Sequence, residues 1–204
     1  MDSSTADTGR MTSIAIGTDG LPLVSYWDAS NGDLRALHCG NLLCNSGNIS
    51  ATLDSNGVVG QETSLTIGAD GLPVISYRDD TNADLKVLHC GDLLCSSGNI
   101  STTVDSAGNV GSYSSITIGS DELPVIGYLD STNTALKVLH CGNLLCNSSN
   151  VITTLDGPGL VGWYLGITIG ADGLPLISYR DNANTDLKVA HCSNAFCVPY
   201  FRRR

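Results

Sequence analysis

A single period governs this chain. His38, His89, His140 and His191 stand 51 residues apart, and so do Gly9, Gly60, Gly111 and Gly162, with no insertion between copies. Such a repeat constrains the fold before any motif does, because each copy must be one supersecondary unit that buries its apolar surface against its neighbours. The first copy reads SIAIGTDGLPLVSYWDASNGDLRALHCGNLLCNSGNISATLDSNGVVG from Ser13, and close copies start at Ser64, Ser115 and Gly166. The units are drawn at 13–63, 64–114, 115–165 and 166–204, as one repeat array over residues 1–204.

Within a unit the hydrophobic period is two, and turn residues recur at the spacing of short antiparallel strands. Four strands fit: SIAIG (13–17), LPLVSYWD (21–28) with Pro22 at its entrance, DLRALHC (33–39) and ISATL (49–53). TDG and ASNG supply the turns between them. No helical pattern is visible. One such sheet has two apolar faces and cannot bury them alone, so the fold class is all-β, a β-propeller-type array of four 51-residue blades of about four antiparallel strands. The competing architecture, an open β-solenoid, uses shorter coils. The fourth strand is clear only three times, at ISATL, ISTTV (100–104) and VITTL (151–155), so the last blade is incomplete.

Charged residues make up only 15% of the chain and the formal net charge is −10. The negative balance repels phosphate backbones and anionic lipid surfaces, which argues against a nucleic-acid partner. The one basic cluster, Arg202 to Arg204, reads as a solvated terminus. No run reaches the roughly 18 apolar residues of a membrane helix. The opening MDSSTADTGR lacks the basic and apolar regions of a signal peptide, so the expectation is either a removed leader or a piece of a longer chain.

The eight cysteines raise the question of metal. LHCGNLLC recurs in every unit, but adjacent residues of a strand point to opposite faces, so His38 and Cys39 diverge. The pattern instead offers a Cys-x4-Cys bridge per unit: Cys39 with Cys44, Cys90 with Cys95, Cys141 with Cys146 and Cys192 with Cys197. A zinc site is the weaker reading, and no cofactor is expected. Bridges of this kind persist in oxidising compartments, which places the chain outside the cell or on its surface. The histidines are then half-buried strand residues hydrogen-bonded within each blade.

A second recurrent group is Tyr26, Asp28 and Asn31, repeated as Tyr77, Asp79, Asn82, as Tyr128, Asp130, Asn133 and as Tyr179, Asp181, Asn184. These are the candidate ligand-binding residues, one shallow polar site per blade. Oxygen-rich loops can also hold calcium, but Ala135 replaces the aspartate found at Asp33, Asp84 and Asp186, and turn formation is favoured. Asn48, Asn99 and Asn147 fit the N-x-[ST] acceptor pattern for glycosylation. The units differ mildly elsewhere: Trp27 against Arg78, Leu129 and Arg180; Gly127 against serine; Glu122 against glycine; and Trp163 with Tyr164. None of these assembles a nucleophile, a base and an oxyanion donor, so no enzyme is expected.

The combination DGLPLVSYWD, DLRALHC and LDSNGVVG resembles the repeats of secreted bacterial β-propeller-like proteins and is distantly similar to the Asp-box repeats of the sialidase-like superfamily. The resemblance covers nearly the whole chain and implies a propeller fold. An Asp box has the form S-x-D-x-G-x-T-W, of which GTDGLPLVSYW keeps the Asp-Gly turn and a distant aromatic. Only Arg10, Arg35, Arg78 and Arg180 precede the basic tail, so sialidase activity is not carried over. The expected function is a non-enzymatic extracellular scaffold, a multivalent binding or adhesion module for glycans or protein surfaces. The alternatives are a structural subunit that assembles head to tail through an open sheet edge into a ring or filament, and a hydrolase-like propeller fragment. The open edge is expected in the last unit, with Met1-Asp2 at the other end resembling the close of a fourth strand.

Overall fold

A computed structural model of the chain describes residues 7–198. Fifteen strands form four antiparallel sheets, and no helix occurs among the described residues. The first sheet holds β1 (Arg10–Ile16), β2 (Pro22–Asp28), β3 (Asp33–His38) and β4 (Ile49–Asp54). The second holds β5 (Val59–Ile67), β6 (Pro73–Asp79), β7 (Asp84–His89) and β8 (Ile100–Asp105), and the third holds β9 (Val110–Ile118), β10 (Pro124–Asp130), β11 (Ala135–His140) and β12 (Val151–Asp156). The fourth contains β13 (Val161–Ile169), β14 (Pro175–Asp181) and β15 (Asp186–His191). Each sheet is a meander in chain order.

Neighbouring first strands, β1 with β5, β5 with β9 and β9 with β13, pack side by side, whereas the fourth strands stand further apart. The sheets therefore fan out from their first strands, which is the blade arrangement of a propeller. The expected incomplete last blade is observed as three strands. Met1-Asp2 and the final YFRRR lie outside the described residues.

The first strand of each later unit starts earlier than the repeat pattern predicts, at Val59, Val110 and Val161 rather than at Ser64, Ser115 and Gly166. The reason is contact with the preceding unit. Val59 is fully buried in a cluster with Leu23, Leu34 and Ala36, and Gly60 follows it at φ +94°. A Cβ on Gly60 would stand 2.6 Å from the Leu34 Cα. The backbone of one blade thus lies on the backbone of the last, and only glycine permits both the dihedral and the approach.

Three apolar clusters hold the array, each shared by two units. One blade contributes the leading-face leucine of its third strand, Leu34, Leu85 or Leu136, and the next contributes a tyrosine, a disulfide and a first-strand aliphatic residue such as Leu65 or Ile116. All seven residues of β6 and of β10 are buried, because these strands are covered on both faces. In β14 burial alternates instead, since among the described residues no further strand packs on one of its faces. The unit cannot be stable as a free sheet, and stacking supplies its core.

Candidate functional site

The four recurrent motifs sort by what their side chains touch. All four predicted cysteine pairs are disulfides, with Cα atoms 4.7–4.8 Å apart and no free thiol among the described residues. Three of the bridges, from Cys90, Cys141 and Cys192, pack inside the interblade clusters. Disulfides of this kind indicate a non-reducing environment.

Each histidine reaches an aspartate of its own blade. The His38 Nε2 lies 2.8 Å from Asp19 Oδ2 and His89 lies 2.8 Å from Asp70. His191 stands 2.7 Å from Asp172, and His140 is 2.7 Å from Asp121, off good hydrogen-bond alignment. Asp19 also accepts the Leu21 N–H at 3.0 Å, and that backbone bond, helped by His38, holds its carboxyl below the usual range. The tie joins the first turn of the blade to the end of its third strand. The sequence showed this aspartate only as a turn residue, because its partner is 19 positions away.

Of the expected polar site in each blade, the tyrosine and aspartate are buried and the asparagine is exposed. Tyr26, Tyr77, Tyr128 and Tyr179 are at most 4% exposed, and Asp28, Asp79, Asp130 and Asp181 at most 5%. Asp28 accepts the Asn31 amide at 2.9 Å and the Ser30 and Asn31 backbone N–H groups, and Asn82, Asn133 and Asn184 repeat the arrangement. The carboxylates of Asp28, Asp79, Asp130 and Asp181 therefore each close an Asx turn. Three of the tyrosines link blades, while Tyr26 bonds Ser50 of its own blade. Tyr77 donates to Asp54 at 2.7 Å, Tyr128 to Asp105 at 2.7 Å and Tyr179 to Asp156 at 2.6 Å, each acceptor lying in the preceding unit. Lys86, Lys137 and Lys188 approach the same three carboxylates. Burial pushes the Asp54 carboxyl up, but bonds from Lys86 and Tyr77 outweigh it and leave a net lowering.

The glycosylation pattern divides. Asn48 and Asn99 each donate their side-chain N–H to the carbonyl of the second cysteine, Cys44 or Cys95, at 2.8 Å. Their Oδ1 atoms accept the N–H of Gly40 and Gly91 at 3.1 Å. A glycan on that nitrogen would break the lock of the disulfide loop. In the third unit the same lock is held by Asn150, the repeat counterpart of Asn48 and Asn99, and the acceptor pattern falls instead on the exposed Asn147, outside the lock. Expression in a glycosylating host is expected to give high occupancy at Asn147 and low occupancy at Asn48 and Asn99. Peptide mapping checks this, and equal occupancy at all three would contradict it.

The units differ most where their first strands bulge. In β5 Gln61 pairs with Arg78 and Ser64 with Ser76, so Glu62 and Thr63 together oppose Tyr77. The other three first strands break register at the same place. Met11, Glu62, Tyr113 and Tyr164 there adopt φ of +50° to +55°, a left-handed conformation that costs a non-glycine residue on the order of 1 kcal/mol. Bulges of this kind re-aim side chains and are enriched beside functional sites.

The re-aimed side chains form a continuous line across the blades. The Glu62 N–H approaches the Met11 sulfur at 3.2 Å, and the Glu62 carboxylate accepts the Tyr113 N–H. The ring of Tyr113 lies 4.7 Å from Tyr164 and 5.4 Å from Trp163. Tyr164 is 65% exposed, while Glu62, Tyr113 and Trp163 are partly covered. Burial pushes the Glu62 carboxyl up against the Tyr113 N–H and the Arg78 charge. Burial and the neighbouring Tyr164 push the Tyr113 hydroxyl up to about 12. An aromatic wall with one carboxylate beside it can stack on an apolar face and accept hydrogen bonds from hydroxyls. The sequence signal was the variation at positions 10 and 11, 61 and 62, 112 and 113, and 163 and 164, of which only the last pair, Trp163 and Tyr164, stood out.

No protein-family model and no curated protein matches the sequence. Among solved structures, the chain is similar to a protein of unknown function from Dyadobacter fermentans DSM 18053, with TM-score 0.69 and 9% identity, over 92% of this chain and 66% of that one. The chain thus spans just under two thirds of that protein, and the likeness is one of fold. An α-L-arabinofuranosidase from Lactobacillus brevis superposes with TM-score 0.48 and 9% identity, over 89% of each chain. A thermostable family-43 glycoside hydrolase does so with TM-score 0.49 and 12% identity, over 93% of this chain and 70% of that one.

Proposed function

We propose that this chain is a non-enzymatic extracellular scaffold that binds glycans through the bulge line of Glu62, Tyr113, Trp163 and Tyr164. The observation that carries the reading is that non-repeating residues meet at the first-strand bulges, Glu62, Tyr113 and Tyr164 on left-handed backbone, as an aromatic wall beside a carboxylate. Four disulfides fit a secreted or surface location, and the resemblance to secreted bacterial propeller-like repeats agrees. The hydrolase-like alternative has less support. Glycoside hydrolysis by the usual route requires two carboxyl groups across one bond, and the bulge positions supply one, Glu62.

Aromatic rings take the C–H face of a pyranose, and Glu62 would accept from its hydroxyls. Glycan-array screening followed by calorimetry tests the reading. The double variant Trp163→Ala/Tyr164→Ala is expected to weaken binding at least tenfold, or about 1.4 kcal/mol, and the single variant Tyr164→Ala to weaken it with the thermal melt little changed, because Tyr164 is 65% exposed. Absence of glycan binding by the native chain at every concentration, or binding indifferent to both aromatic residues, would overturn it. A self-assembling role is the second reading, favoured by the exposed apolar faces of the terminal blades.

A further inference from the structure

We propose that copies of this chain join head to tail by stacking the open face of the last blade on the open face of the first blade of the next copy. The contact reproduces an interface that the chain already builds three times within itself. It is face to face, unlike the strand-edge pairing expected from the sequence, and its test is separate from that of the glycan reading, since Tyr164 borders the open face but neither Ile14 nor Leu187 belongs to the bulge line.

The two open faces are the two mates of the internal junction. On the leading side, Leu34, Leu85 and Leu136 are 0% exposed beneath the next blade, whereas their counterpart Leu187 is 78% exposed. Val87 and Val138 are likewise 0% exposed and Val189 is 60%. On the receiving side, Leu65 and Ile116 are 7% and 6% exposed, and their counterpart Ile14 is 64%. Each terminal blade thus exposes aliphatic side chains on one face, the kind of surface that marks an interaction site.

The finer features match as well. Phe196 of the fourth blade covers the His140 ring of the third at 4.6 Å. The corresponding residue of the first blade is Leu43, 80% exposed, and the corresponding histidine is His191, with half its side chain exposed. Arg78 reaches into the next blade, donating from Nη1 to Asn109 Oδ1 at 2.9 Å and to the Val110 carbonyl at 2.8 Å. Arg180 occupies that place in the last blade and is exposed. Asp7 stands two periods before Asn109, so a second copy would set a carboxylate opposite the Arg180 guanidinium.

The backbone is shaped for the same approach. Gly9 holds the position of Gly60 at φ +80°, but a Cβ there would meet nothing within 4 Å. The space is where the preceding blade's leucine backbone lies at Gly60, Gly111 and Gly162. Beside Leu187 runs a groove of about 510 Å³, bordered by Tyr164, Arg180 and Asp186. The partner that fits these features is another blade of this repeat, and a second copy carries one.

Such a contact is heterologous, so it closes into a ring or extends into a filament according to the rotation per blade. Analytical ultracentrifugation of the chain over rising concentration is expected to show particles larger than the 21.2 kDa monomer. Ile14→Glu and Leu187→Glu, both at exposed positions, should each keep the native circular dichroism and weaken association at least tenfold. Mixed in equal amounts, the two variants should form one-to-one dimers, because each retains the face that the other lacks. A native chain that stays monomeric at all concentrations, or a mixture that stays monomeric, assigns the faces to another occupant and overturns the proposal. Unchanged assembly by either single variant overturns it too.

Discussion

Asp105→Ala is expected to destabilise the folded array by about 3 kcal/mol, at the lower end of the cost of breaking a buried charge pair. The Asp105 side chain is 4% exposed and accepts the hydroxyl of Tyr128, a residue with no exposed surface, at 2.7 Å. Removing the carboxylate leaves that hydroxyl buried without its acceptor. Lys137 keeps its bond to Asp130 at 2.8 Å, which holds the loss below the top of the range. The matching substitution in the next junction, Asp156→Ala, also removes a tyrosine's acceptor but is expected to cost less, about 1 to 2 kcal/mol, because Asp156 and Lys188 are 29% and 41% exposed, so water can replace the lost acceptor and solvent screens the pair. Urea unfolding of the two variants side by side checks the difference. Equal midpoints would mean that burial of the carboxylate adds nothing, since both variants lose the acceptor of a buried tyrosine.

Leu136→Ala and Leu187→Ala change the same repeat position and should have unlike effects. Leu136 is fully buried among Val138, Val161 and Tyr179, so truncation opens a cavity and costs about 3 kcal/mol. Leu187 is 78% exposed, and its truncation should stay within about 0.5 kcal/mol. The comparison belongs at concentrations where the chain is monomeric, so that any role of Leu187 between copies does not enter. Similar losses from both variants would show that the last blade is covered in the monomer.

The fold was legible because its signals are local and repeated four times. Alternation over five to seven residues, Asp-Gly turns and Cys-x4-Cys spacing each act within one blade, and four copies in register leave little freedom in placing the strands. The disulfides were legible for the same reason: five residues separate the partners, and no other thiol lies near. The unit boundary was drawn five residues late because what starts the first strand at Val59 is its contact with Leu34 in the previous blade.

The candidate site was hardly legible, since it depends on what lies between blades. Tyr77, Asp79 and Asn82 look like a polar recognition loop in one dimension, yet the tyrosine points to Asp54, 23 residues back, and the carboxylate closes its own turn. Glu62, Tyr113 and Tyr164 look unrelated at a separation of 51 residues, and the shared bulge sets them in one line. The sequence by itself determined the period, the strands, the turns and the cross-links, all fixed by interactions within a few residues. Only the tertiary structure decided which face of each blade is covered, which carboxylates are buried and which side chains meet, because those follow from stacking one sheet on the next. Leu136 and Leu187 are one residue in the repeat and become core and surface solely by whether a blade follows.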